Sequence, residues 1–103
     1  MAYLLRFVQQ YDPSAAREFL ELEAQFRELE RRSPHLPQGK RYRPVSGAQP
    51  THTLIWECEC GSLAEVDAAI QKLKEDPDHT ILFEKQAPYI RQAHTEIHEL
   101  LDF

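Results

Sequence analysis

Glycine is scarce. Gly39, Gly47 and Gly61 are the only three among 103 residues, and they lie far apart, which leaves no glycine-rich loop to cradle a phosphate. Cysteine is scarcer still, with only Cys58 and Cys60. On a strand these two point the same way at about 6.6 to 7 Å, too far for an unstrained disulfide, and a lone pair falls short of a zinc ligand set. They read as reduced core thiols. No apolar run approaches the roughly 18 residues of a membrane-spanning helix. The first residues also lack the basic, apolar and small-residue succession of an export leader, so the expected location is cytoplasmic, with no membrane partner. A net charge of −5 argues against general nucleic-acid binding. No serine or cysteine is paired with a base in a pattern that marks a nucleophile.

What remains is 42% hydrophobic, enough for one modest core, and residues 1–103 read as a single domain. Ala2 to Tyr11 alternates as a strand, with Tyr3, Leu5, Phe7, Gln9 and Tyr11 on one face and Leu4, Arg6, Val8 and Gln10 on the other. Asp12-Pro13 supplies a cap and a first-turn proline. The chain from there to Arg32 is free of Gly and Pro and carries Ala15, Phe19, Leu22, Phe26 and Leu29 as one helical stripe. Ser33-Pro34 stops it. Prolines at 37, 44 and 50 leave room for only a short edge strand near Lys40 to Arg43, followed by an exposed hairpin around Val45 to Gln49. Thr53 to Cys60 is rich in strand formers. Ser62-Leu-Ala-Glu65 then has the spacing of a capping box, opening a helix with Leu63, Val66, Ile70 and Leu73 on one stripe. Asp76-Pro77-Asp78 reads as its stop, Thr80 to Lys85 as a strand, Gln86-Ala87-Pro88 as a turn, and Tyr89 to Leu101 as a closing amphipathic helix.

This order, strand and helix twice over with right-handed crossovers, predicts an α+β, ferredoxin-like βαββαβ antiparallel sheet with a C-terminal helix. One sheet face lies under the helices. The other is mixed, and Leu4, Val8, Ile55 and Leu82 on it make an apolar patch of the kind that marks an interface, so a second copy packed face to face is expected to close a two-subunit barrel. The length, the βαββαβ order, the run Trp-Glu-Cys-Glu…Ser-Leu-Ala-Glu…Lys-Glu-Asp-Pro-Asp-His from Trp56 to His79 and the closing segment resemble the dimeric α/β-barrel superfamily, and within it the NIPSNAP-like small bacterial proteins. The resemblance implies a homodimer with a pocket between sheet and helices. It spans cofactor-free monooxygenases, haem-linked enzymes, isomerases and proteins without known activity, and its motifs assign no catalytic residue here.

The first strand of such a sheet is central. Arg6 is therefore expected between Glu57 and Glu84 on the mixed face, where the cluster would either tune a carboxylate into a base or, the favoured reading, fix dimer register as a buried ion group. Trp56, Tyr89 and His94 join these three as candidate pocket residues, the aromatics otherwise being ordinary core and interface groups. Arg31 to Trp56 carries five basic residues and no acid. Lys40, Arg41 and Arg43 on it are read as an anion-attracting arm over a pocket, against the blander reading of a solvated arm paired with acidic helices. His94 and His98, four apart on the predicted last helix, with His79 as a third ligand, are weak metal candidates; no metal or other cofactor is expected, and haem ligation enters only through the resemblance. The functional expectation is a small-molecule binder for an apolar or anionic organic compound, monooxygenase-like or isomerase-like if an enzyme at all. The alternative is a non-enzymatic dimeric module that binds another protein.

Overall fold

A computed structural model describes residues 2–103. The elements are β1 (Tyr3–Tyr11), α1 (Ala16–Arg32), β2 (Lys40–Tyr42), β3 (Thr53–Cys60), α2 (Leu63–Glu75), α3 (Pro77–Gln86) and β4 (Ile90–Glu99), with short 3₁₀ turns at Pro13–Ala15 and Ala87–Tyr89. All strand pairs are antiparallel and the order is β2-β3-β1-β4. This is the expected α+β, ferredoxin-like sheet, with β1 central between its third and fourth strands.

The first half follows its local chemistry. Asp12 Oδ1 accepts from the Ser14 amide at 2.9 Å and from the Ser14 hydroxyl at 2.8 Å, which turns the chain out of β1 and into α1. Ser62 Oγ accepts from the Glu65 amide at 3.1 Å, as in a capping box, while the Glu65 carboxylate reaches back one residue further, to the Gly61 amide. Val66, Ala69 and Leu73 form the buried stripe of α2, and Leu63, expected on it, is exposed.

The second half corrects two readings. Asp76-Pro77 does not stop the chain for a strand at Thr80 to Lys85; it starts α3. Asp76 Oδ1 accepts from the His79 amide at 2.9 Å and Pro77 takes the first turn, where its missing N–H costs nothing. Leu82 and Gln86, four apart, point inward, while Ile81 and Phe83 are exposed. The expected closing helix is instead β4, hydrogen-bonded along β1 from Tyr3↔Glu99 to Tyr11↔Ile90 with a bulge at Gln10/Tyr11. As an edge strand exposed along most of its length, β4 lacks the alternation in hydropathy that would have announced it.

The core lies on one face of the sheet. Leu5, Trp56, Cys58 and Cys60 pack beneath Phe26, Leu29, Val66, Leu73 and Leu82, and Tyr11, Phe19 and Leu54 form a second cluster toward one end, with the Tyr11 and Phe19 rings stacked at 4.4 Å. Both cysteines are free and buried. The opposite face carries no helix. No helix of the described residues is long and apolar enough to cross a membrane.

Candidate functional site

A cavity of about 280 Å³ opens between the covered face of the sheet and the helices α1 and α3. Its walls are aromatic: Phe7 on β1 and Trp56 on β3 stack at 5.0 Å and 14°, and Phe26 on α1 lies 4.9 Å from the His79 ring on α3. Leu73 and Phe83 complete the apolar lining, with Gln9, Ala93 and Thr95 contributing from β1 and β4.

The floor is charged. On α1, Glu23, Phe26 and Glu30 recur at three and four residues, so both carboxylates share the stripe that faces the sheet. On β2, Arg41 is directly opposite Trp56, which places it on the covered face. Its Nε donates to Glu23 Oε2 at 2.6 Å, its Nη1 to Glu30 Oε1 at 3.3 Å and its Nη2 to Glu30 Oε2. Burial alone lowers the Arg41 pKa, but the hydrogen bonds and charges of Glu30 and Glu23 together outweigh it and hold the guanidinium above its ordinary value. Gln86, at the end of α3, donates to Glu23 Oε1 at 3.0 Å and to the Phe19 carbonyl at 3.4 Å. The approach of β2 depends on Gly39: a Cβ there would sit 1.8 Å from Trp56 Nε1, so only glycine fits against the indole, and its amide donates to Glu30 Oε1 at 2.9 Å.

His79 is the exception in this network. Neither ring nitrogen has a hydrogen-bond partner among the described residues. Burial pushes the imidazole pKa below its ordinary value, against the opposing pull of Asp76, Glu30 and Glu23, so the ring is a neutral proton acceptor beside the cavity.

Of the residues expected to form one pocket, the structure unites only some. Trp56 lines the cavity, and His94 touches it while its imidazole serves the opposite face. Arg6 and Glu57 lie on that opposite face, with Arg6 Nε 2.8 Å from Glu57 Oε1 as an ion pair, off the line a hydrogen bond requires. Glu84 is not their neighbour: it is exposed on α3, and the third member is Glu96, 3.4 Å from Arg6 Nη1. Tyr89 packs against the second apolar cluster. Of the basic arm, Lys40 and Arg43 are exposed, and Arg41 is spent on α1, so the arm does not offer a free anion site there.

His94 and His98 lie on a strand, four residues apart on one face with Glu96 between them, each bonded to Glu96, at 2.8 Å and 3.0 Å. The hydrogen bonds from His94 and His98 hold the Glu96 carboxyl below its ordinary range. Among the described residues no group of three or more His, Cys, Asp or Glu is placed to hold a metal.

Glu23, Phe26, Glu30, Phe83 and Gln86 were not legible as site residues. A signal existed for two of them: Glu23 and Glu30, seven apart, fall beside Phe19, Phe26 and Leu29 on the buried stripe.

By sequence the chain matches no family profile and no functionally described protein. By structure it is similar to a NIPSNAP family protein from Agrobacterium tumefaciens (TM-score 0.81, 17% identity, covering 100% of this chain and 96% of that one) and to a NIPSNAP domain protein from Burkholderia xenovorans (TM-score 0.77, 15% identity, 100% and 97%). It is also similar to an antibiotic biosynthesis monooxygenase (TM-score 0.69, 14% identity, 99% and 100%). The chain therefore has the ferredoxin-like fold that these proteins share.

Proposed function

We propose that this protein binds a small organic molecule with an aromatic or otherwise apolar body in the cavity between sheet and helices, and that it does so as a homodimer joined through the open sheet face. The observation that carries the reading is the cavity itself: about 280 Å³ walled by the Phe7/Trp56 and Phe26/His79 pairs over a buried ionic floor. Its size is near the lower end for ligand sites, and the mixture of aromatic walls with a few fixed polar groups is what such sites contain. The neutral His79 ring is the group placed to take a proton from a bound molecule, the step with which an isomerase-like or cofactor-independent monooxygenase-like reaction would begin. The monooxygenase neighbour supports that chemistry by likeness of fold only.

Trp56 is the only tryptophan and forms a cavity wall, so its fluorescence reports occupancy. Titration with small hydroxylated and aminated arenes should quench it saturably, and Ala93→Phe, which narrows the cavity without adding a second indole, should weaken that response at least about tenfold. An indole emission indifferent to every such compound at millimolar concentration would remove the reading. A protein-binding module is the second reading, favoured by exposed Leu100, Leu101 and Phe103 beyond β4.

A further inference from the structure

The cavity's polar groups are not balanced in charge. Two carboxylates, Glu23 and Glu30, face one guanidinium, Arg41, so the buried floor carries a formal charge of −1. Arg41 is paired: Nε, Nη1 and Nη2 each donate to one of these carboxylates, with three of the five guanidinium N–H groups engaged. The amide nitrogen of Gln86 is likewise spent, on Glu23 and the Phe19 carbonyl. Two acceptors remain open, one nitrogen of the neutral His79 ring, whose other nitrogen is a donor, and the Gln86 oxygen. The His79 ring has no partner among the described residues, and neither does the Gln86 side-chain oxygen. Gln9 and Thr95 are neutral and can act either way, so they leave the sign unchanged. The walls add to it, because the Phe7, Trp56 and Phe26 faces carry the negative side of the ring quadrupole, which attracts a cation.

We infer that the cavity selects a cationic ligand, a protonated amine on a small aromatic or aliphatic body, over the same body carrying a carboxylate. This rests on the reading of the cavity as a ligand site. A carboxylate entering here would find no unpaired cation and would add like charge to a shielded space, where charges interact more strongly than in water. An ammonium group offsets the formal −1, donates to the open acceptors and lies against aromatic faces. Arg41 thus holds Glu23 and Glu30 in place rather than holding the ligand.

The test is calorimetric titration of the whole protein with three compounds of one shape: 2-naphthylmethylammonium, 2-naphthylmethanol and 2-naphthoate. The ammonium compound should bind at least about tenfold more tightly than the carboxylate, with the alcohol between them. The order should persist near 1 M salt, where the Debye length is about 3 Å, because the protein's overall negative charge would otherwise attract amines without any site. Glu30→Gln, which brings the formal charge to zero, should erase most of the difference while the alcohol still binds. Where that variant does not fold, the high-salt order in the native protein decides alone. A carboxylate that binds as well as the amine, or an order that vanishes in salt, overturns the inference and leaves the cavity a ligand site. Failure of all three compounds to bind overturns both.

Discussion

Arg41 joins three elements through one side chain. It ties β2 to Glu23 and Glu30 on α1, and Glu23 is tied in turn to Gln86 on α3. Both carboxylates are almost wholly buried, with side-chain exposures of 10% and 7%, so removing the guanidinium strands two like charges in a poorly hydrated space. Arg41→Met is therefore expected to lower stability in a urea melt by about 3 to 5 kcal/mol. Arg41→Met with Glu23→Leu and Glu30→Leu should regain much of that loss, since no lone buried charge remains, and a harmless single variant would contradict the floor described above. His79 sets a different dependence. Its folded pKa lies below the ordinary value of 6.5, so at pH values between the two the unfolded chain binds the extra proton and stability falls as the pH drops; above 6.5 the group contributes no slope. His79→Gln should flatten the fall in unfolding free energy between neutral and mildly acidic pH relative to the native protein, and an unchanged slope would show the ring to be as easily protonated folded as unfolded. None of this was legible from single residues. Arg41 reads as a free surface cation until its register against Trp56 is known.

Among the elements, those with start and stop signals were legible and those marked only by apolar spacing were not. β1 alternates, α2 is capped by Ser62, and α1 follows the turn that Asp12 caps. Thr80-Ile-Leu-Phe83 is a short apolar run, for which periodicity cannot separate strand from helix, and Ile81 proves to be an exposed helix residue and Phe83 a half-exposed one at the cavity, rather than one face of a strand. The deciding feature lay upstream, since Asp76-Pro77 is as good a helix start as a helix stop. Asp76→Ala should then cost about 1 kcal/mol through loss of the cap on α3, whereas Asp76→Asn, which keeps an acceptor for the His79 amide, should cost less. Equal losses would point instead to the 3.5 Å contact with His35. In β4 and just beyond it the positions Ile90, Ala93, Ile97 and Leu101 imitate helical spacing, yet Ala93, Thr95 and Ile97 pair with Gln9, Phe7 and Leu5 on one sheet face. The bond that made this a strand is to β1, ninety residues away, and no local pattern could show it.

At the scale of the whole molecule the unresolved balance is between the two faces of the sheet. One is buried under three helices. The other presents Leu4, Ile55 and Tyr42 around the Arg6, Glu57 and Glu96 ion group and the His94 and His98 rings; Leu82, expected among them, belongs to the core. Scattered apolar residues on a surface need no partner, but Tyr42, Ile55 and Val8 lie side by side across β2, β3 and β1 next to a row of paired charges, an apolar strip that a second copy would cover. Light scattering at micromolar concentration is expected to give the mass of a dimer. Ile55 is the residue to challenge, because it lies opposite both Val8 and Tyr42 and so sits amid the apolar part of the patch. In a dimer, Ile55→Asp places an unpaired charge between two sheets, which costs far more than the same charge in water; it should shift the scattering mass to that of one chain while the far-ultraviolet dichroism stays native. If the face is solvated instead, the native protein scatters as a monomer and Ile55→Asp changes neither its mass nor its melt, and the cavity must then serve its ligand from a single subunit.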